Sequence, residues 1–297
     1  MNITAVVILY NTNLLESQTL KSILVNKLNS IKLTLKIWNN GPKELEEKDI
    51  NLFFSSCSNL NIKVDIFQDL RNLSLSKIYN HFIKEINYDY ITILDQDSHL
   101  SEKFFENIYN EKAEIIIPEI FSNINGTITQ THPYTINNSE KIVNEGFISE
   151  KIETVMSGIT LSKNVTNKII EYRKYVFEEK LGFYGIDCDF FKTLNEMESK
   201  QRVIIYCKNK IHHSFALLDP KESKSEFRQI ELFYFKIFAR IEYQKKGSIS
   251  TLWVIFRDFI RMKNNLKKTY NLAIFALRKR HPRSIFNIEN HKPTHRL

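Results

Sequence analysis

Asp95-Gln96-Asp97 places two carboxylates two residues apart, directly behind the apolar run Ile91-Thr92-Ile93-Leu94. On an extended backbone such side chains point the same way. Hard oxygen ligands so arranged suit Mg²⁺ or Mn²⁺, which keep positions open for water and phosphate. Paired acids also cap loops and helices; the strand-like run in front of this pair is what favours a metal. A second cluster, Gly182-Phe183-Tyr184-Gly185-Ile186-Asp187-Cys188-Asp189, sets two acids among aromatics and glycines. Asp187 is the better candidate for a general base, which must reach an acceptor hydroxyl; Asp189 reads as a helix cap. His212-His213 follows another strand-like run, and either imidazole could add a third ligand. Cys188 lies between two acids, which raise a thiol pKa and argue against a nucleophile.

Elements must bring these residues together. Ile3–Leu9, Leu33–Trp38, Ile62–Phe67, Tyr90–Leu94 and Glu114–Pro118 read as buried strands. Leu14–Leu28, Glu44–Phe54 and a segment from Asn72 or Ser74 to about 86 read as the helices between them, and Ser101 caps another. Alternating strands and helices predict an α/β fold with a Rossmann-like, mostly parallel sheet flanked by helices. Ligands of such sheets bind beyond the carboxyl ends of the strands. Tyr10-Asn11, Asn39-Asn40, Arg71-Asn72 and Asp95–Asp97 all fall there. Residues 120–150 read as polar and turn-rich, Lys151–Leu161 as a strand, Ser162–Tyr172 as a helix, 177–189 as a loop before a helix from Phe190, and Arg202–Cys207 as the last strand. From Lys221 the chain predicts helices to about Lys279 and a frayed tail after Pro282. Residues 1–220 thus make a catalytic domain and 221–297 a helical, basic extension.

The chain has 297 residues and a net charge of +8. Between Arg240 and Leu297 fourteen Lys and Arg face only Glu242, Asp258 and Glu289, so the positive charge is concentrated at this end. Such an end can face phosphate, in lipid headgroups or nucleic acid. Phe227–Tyr243 and Leu252–Met262 mix aromatics with cations; the first reads as a helix packed on the core, and Arg257–Arg283 as a surface for anionic lipid. Cys57, Cys188 and Cys207 have no metal or redox spacing, which suits a reducing compartment. The opening Met1–Asn13 lacks a basic lead and a long apolar core, and no apolar run reaches the roughly 18 residues of a membrane span. These features predict a cytoplasmic protein, peripheral on the inner face of the cell membrane.

Five segments, taken in order, resemble family 2 glycosyltransferases with a GT-A fold, in particular the bacterial rhamnosyltransferase-like branch of O-antigen and capsule synthesis. They are Val6–Asn11, Trp38–Gly41, Arg71–Asn80 with its two asparagines, Leu94–Ser98, and Gly182–Phe191 followed by His213–Ala216. The match spans about the first 220 residues. Asn39 stands where the family has Asp, and Leu73 and Ala216 where it has Gly. The resemblance implies an inverting transfer from a nucleotide-diphospho-sugar, dTDP-rhamnose or a UDP-sugar, to a saccharide acceptor, lipid-linked by analogy. It implies Mn²⁺ or Mg²⁺ on Asp97, with Asp95 on the metal or the ribose and His213 as an added ligand. Asp187 would be the base. Tyr10, Asn11, Asn39, Asn40, Arg71, Asn72, Asn80 and Asp95 would hold the donor.

Other readings predict different residues. A sugar-nucleotide nucleotidyltransferase needs a Gly-rich, Arg-containing phosphate loop after the first strand, where this chain has Tyr10-Asn11-Thr12-Asn13. A basic nucleic-acid-binding module needs a recognised motif, and none is seen. A degenerate, inactive transferase keeps the fold without a working base.

Overall fold

From Ile3 to Leu9 every residue is buried, on both faces, as in the middle of a parallel sheet rather than at its edge. The computed structural model describes residues 1–85, 87–111, 113–124, 126–136, 141–197, 202–213, 225–262, 266–288 and 291–297. The elements of the first half are β1 (Asn2–Leu9), α1 (Gln18–Leu24), β2 (Lys32–Asn39), α2 (Glu47–Asn59), β3 (Lys63–Gln68), α3 (Leu75–Glu85), β4 (Tyr90–Asp95), β5 (Ser98–Leu100) and α4 (Phe104–Asn110). Next come β6 (Ile115–Ile124), β7 (Thr127–His132), β8 (Tyr134–Thr135), β9 (Gly146–Ile148), β10 (Ile152–Glu153), β11 (Thr160–Ser162), α5 (Lys163–Arg173), α6 (Ile186–Met197) and β12 (Ile205–His213). The chain ends with α7 (Glu226–Phe238), which runs on as a π turn, then α8 (Ser248–Met262), α9 (Leu266–Arg278) and β13 (His295–Arg296).

The main sheet has the order β13-β3-β2-β1-β4-β11-β6-β12-β5. β1, β2, β3 and β4 are parallel, as are β6 and β12. The chain turns outward to β2 and β3, then crosses to β4 on the other side of β1. That makes the gap between the ends of β1 and β4 a topological switch point, where open α/β sheets bind ligands. Ile8 pairs with Asp95 in register, so Tyr10 and Asp95–Asp97 emerge side by side. The α/β fold with flanking helices and a helical carboxyl-terminal part is the one expected.

Several expectations need correction. The helix at Leu14–Leu28 is only Gln18–Leu24, capped by the Ser17 hydroxyl on Leu20 N–H. The stretch after Pro118 is not all turn: β6 continues to Ile124 and pairs with β7 as a hairpin. The strand at Lys151–Leu161 is two short pieces, β10 and β11, with Gly158 turning at φ +87° between them. β12 starts later than expected and carries both histidines, with a bulge near Asn209. α6 begins at Ile186, so Asp187 lies in its first turn and not in a loop. The tail after Pro282 is not frayed: a 3₁₀ turn at Pro282–Ile285 leads to β13, which pairs antiparallel with β3.

One buried cluster runs from Val6 and Ile93 through Phe177 and Phe190 to Tyr234, Phe238, Phe275 and Ile288. Each buried large apolar side chain contributes up to about 1.5–3 kcal/mol. Residues on both sides of the expected boundary at 220 therefore share one core. α7 approaches the 182–185 loop so closely that a Cβ at Gly185 would sit 2.0 Å from the Phe235 ring, and φ there is +83°. Only glycine meets both conditions.

Candidate active site and metal centre

The strand ends set the site. Asp95 is the last residue of β4 and Asp97 follows after one residue. His213 is the last residue of β12, which pairs with β5 so that His213 lies opposite Ser98. Strand alternation sends His212 to the other face, against the Phe121 ring. Of the two histidines, the geometry selects His213. Its Nδ1 is 3.3 Å from Asp97 Oδ1 and its Nε2 is 3.9 Å from Asp95 Oδ2. One ligand atom from each of the three lies within 4.8 Å of the others. Two carboxylates and an imidazole converging so closely fit a divalent cation.

The turn that carries the acids is strapped from several sides. Gln96 points away from them: its amide accepts from Tyr10 N–H at 2.7 Å and donates to Tyr10 C=O at 3.3 Å, locking the ends of β1 and β4 together. Ser17 Oγ donates to Gln96 C=O at 2.8 Å, and the buried Thr19 hydroxyl bonds Asp95 C=O and accepts from Ser98 N–H. Ser157 Oγ accepts from Asp95 N–H at 3.1 Å and is 2.6 Å from Ser98 Oγ, which in turn lies 3.1 Å from His213 Nδ1. Burial pushes the Asp95 carboxyl up to about 6, with Asp97 and Asp187 adding to the rise and His213 opposing it. A cation would reverse that cost.

Asp187 projects from the first turn of α6, its Oδ1 accepting from Cys188 N–H at 2.9 Å. Its charge is felt at Asp95, and both acids are felt at the buried Tyr79 hydroxyl, so Asp187 lies within electrostatic reach of the trio. Burial, then Glu153, holds its carboxyl above the usual range. Asp189 instead bonds Arg173 at 2.6 Å and Tyr243 at 3.0 Å; it ties helices together and is not the cap expected. Burial, Asp187 and Glu153 all push the Cys188 thiol up, which keeps it a poor nucleophile.

The expected donor residues divide into two groups. Tyr10 and Asn11 are exposed at the end of β1, Asn11 with φ +51° and its N–H on Gly41 C=O at 2.7 Å. Arg71 keeps half its side chain in solvent, with Nε and Nη2 on Asp69 at 2.8 and 2.5 Å. Asn72, at φ +53°, completes that turn. Asn39, Asn40 and Asn80 are each 2% exposed, with the amide bonded inside the protein. Asn39 holds Lys43 C=O, Gln68 and Gly41 N–H. Asn40 exchanges bonds with the backbone of Leu73, and Asn80 with that of Phe177. A buried amide meeting its partners this way fixes backbone.

Some participants carry no signal in sequence. Glu153 accepts from Cys188 Sγ at 2.7 Å and Tyr134 OH at 3.2 Å. Burial lowers His132 to about 4, with Glu153 and His213 both felt there. His132 and Tyr134 come from short strands in a stretch that reads as turns, and Glu153 from the strand-like run Lys151–Leu161. Beside Cys188 a cavity of about 430 Å³ is lined by Lys151, Glu153, Phe191, Lys192 and Asn195, among others. Ser214–Ala216, the end of the histidine segment in the resemblance, lie outside the described residues.

No protein-family model matches the chain, and no curated protein matches it by sequence. Solved structures do match in shape. S. aureus TarS 1–349 in complex with UDP-GlcNAc superposes with a TM-score of 0.51 at 15% identity, over 93% of this chain and 80% of that one. GalNAc-T7 with UDP, GalNAc and Mn²⁺ gives a TM-score of 0.52 at 10% identity, over 72% of this chain and 43% of that one. At these identities the likeness shows the fold, which is GT-A.

Proposed function

We propose that this chain is an inverting glycosyltransferase that moves a sugar from a nucleotide-diphospho-sugar to a hydroxyl acceptor. One observation carries the reading: Asp95, Asp97 and His213 converge at the switch point of a GT-A sheet, with Asp187 within electrostatic reach of them. Their chemistry suits Mn²⁺ or Mg²⁺, and the two structural neighbours hold UDP-GlcNAc or UDP with Mn²⁺. A bound cation would supply positive charge against the leaving diphosphate. Asp97 and His213 would hold it, with Asp95 on the metal or the ribose. Tyr10, Asn11, Arg71 and Asn72 would receive the nucleoside.

Asp187 takes the acceptor hydroxyl proton. As it does so, the acceptor oxygen bonds to the anomeric carbon and the bond to the diphosphate oxygen breaks. The nucleoside diphosphate leaves with the electron pair, and the anomeric centre inverts. The 430 Å³ cavity beside Cys188, with a Phe face and mixed charges, offers a seat for a saccharide. A dTDP-rhamnose donor and a lipid-linked acceptor of O-antigen or capsule synthesis are the specific reading. The test is a panel of dTDP- and UDP-sugars with Mn²⁺, scoring acceptor-dependent release of nucleoside diphosphate. Release that continues at the same rate in Asp187→Asn would contradict the assigned base.

The carboxyl-terminal helices would hold the enzyme on an anionic membrane at the cytoplasmic face. No described helix is long and apolar enough to cross a membrane. Yet α8 leaves Ile249, Trp253, Phe256 and Ile260 more than half exposed, one stripe at spacings of four, three and four. α9 does the same with Leu266, Tyr270 and Leu277. Exposed Lys245, Lys246, Arg257, Lys267 and Arg278 accompany the stripes. Apolar side chains beside basic ones complement the interface of an anionic bilayer.

A further inference from the structure

The tail beyond α9 returns across the molecule and lands on the turn that carries Arg71 and Asn72. We infer that this tail is part of the donor site, with Arg283 as the positioning residue that sets the Asn72 turn; this rests on the transferase reading above.

Arg283 Nη1 donates to Asn72 Oδ1 at 2.8 Å. Asn72 Oδ1 also accepts from Asn40, and the residue holds φ +53°, a conformation that a side chain adopts at a cost unless something fixes it. The same guanidinium lies over Phe183 and Phe227, 5.8 and 5.5 Å from the ring centres. Phe183 belongs to the segment that delivers Asp187. One buried cation therefore touches both the donor turn and the loop that leads to the base.

Its own position is fixed in turn. Arg283 N–H donates to His281 Nδ1 at 3.1 Å, which leaves the His281 proton on Nε2, 3.3 Å from Glu231 Oε2. His281 N–H donates to Lys180 C=O, and its ring fills the space a Cβ at Gly182 would need. Further along, Lys77 Nζ donates to the carbonyls of Ser284 and Phe286, the Phe286 ring lies under the Arg71 guanidinium at 4.9 Å, and His291 packs against Trp38 at 4.9 Å. β13 then pins the end to β3.

Stability alone does not account for this arrangement. Arg283 Nη2 sits 2.8 Å from Glu231 Oε2 but without good hydrogen-bond alignment, and Nε is buried with no hydrogen-bond partner among the described residues. A buried ion pair with unmet donors is a weak way to hold a fold. It is a good way to fix the direction of one short turn, because a planar fork has few ways to sit.

The test compares wild type with Arg283→Lys and with the double variant Glu231→Gln/Arg283→Met, which leaves no lone buried charge. UDP and dTDP binding with Mn²⁺ is measured by calorimetry, KM and kcat with the active donor, and amide hydrogen exchange over residues 69–76. The expected result is nucleotide affinity lowered roughly tenfold in the double variant, KM raised to match, kcat within about twofold, and faster exchange over 69–76. Arg283→Lys, which keeps the charge without the fork, should fall between. Unchanged affinity and KM in a folded double variant would overturn the role of the tail alone. A wild-type chain that binds neither nucleotide with Mn²⁺ would overturn the donor site itself, and this inference with it.

Discussion

Asp97 and His213 face each other at 3.3 Å and Asp95 completes the trio, so each side chain is tested separately by metal binding. Asp97→Ala and His213→Ala should weaken Mn²⁺ binding about 10-fold or more, read by the loss of free Mn²⁺ signal in electron paramagnetic resonance. His212→Ala, on the opposite strand face, should leave it unchanged. Asp187 supplies a test of sign. Burial and Glu153 raise its carboxyl, so it ionises later in the fold than in the unfolded chain. Its contribution to stability is fullest below the unfolded value and is lost as pH rises through the folded one. A base must be ionised, so activity follows the reverse course, rising with pH above the usual carboxylate range. Asp187→Asn should therefore cost about 10²–10⁴-fold in kcat while Tm at pH 7 stays level or rises. A fall in Tm with little change in kcat would make Asp187 a structural group. The acids and histidine were legible because their motifs sit at strand ends. The partners Glu153, His132 and Ser157 were not, because they meet the site only through long-range packing.

At the level of elements, the straps on the Asp95–Ser98 turn matter more than local propensity. Ser157 links the backbone of Asp95 to the hydroxyl of Ser98, and through it to His213. Ser157→Ala leaves a buried N–H and a hydroxyl short of a partner. It should cost about 1–3 kcal/mol of stability by denaturant titration, and Mn²⁺ affinity should drop with it. Gly185→Ala should cost more than Gly126→Ala. Both have positive φ, but only the first meets a ring, while a Cβ at Gly126 meets nothing within 4 Å. The strands β1 to β4 were readable from their unbroken β-branched runs, and the turn residues after them marked the crevice. α6 was placed four residues late because Asp187 and Asp189 read as loop and cap, whereas Asp189 is drawn inward by Arg173 and Tyr243. Pro118 suggested an end to β6, but the strand continues and builds the β7 hairpin.

Across the whole molecule, charge and exposed apolar surface are gathered at the carboxyl-terminal end. A lipid-facing role predicts co-sedimentation with anionic vesicles that weakens with salt, each surface cation contributing about 1 kcal/mol. The two tryptophans give a built-in probe, since Trp38 is fully buried and Trp253 is exposed on the α8 stripe. Vesicles should shift emission to the blue, and Trp253→Ser should abolish the shift. Binding to neutral vesicles that is equal at high salt would contradict the electrostatic part. The helical character of this end followed from its periodicity. The return of the tail did not, because a two-residue strand and a 3₁₀ turn leave no periodic trace.

The proposed chemistry centres on a cation held by Asp97 and His213, with Asp95 beside them, against a diphosphate. Calorimetric titration of UDP and dTDP, with and without Mn²⁺, into wild type and Asp97→Ala tests this most directly. Nucleotide binding should require the metal and should be lost, or fall at least tenfold, in the variant. Binding that is equally tight without metal, or untouched by Asp97→Ala, would contradict it.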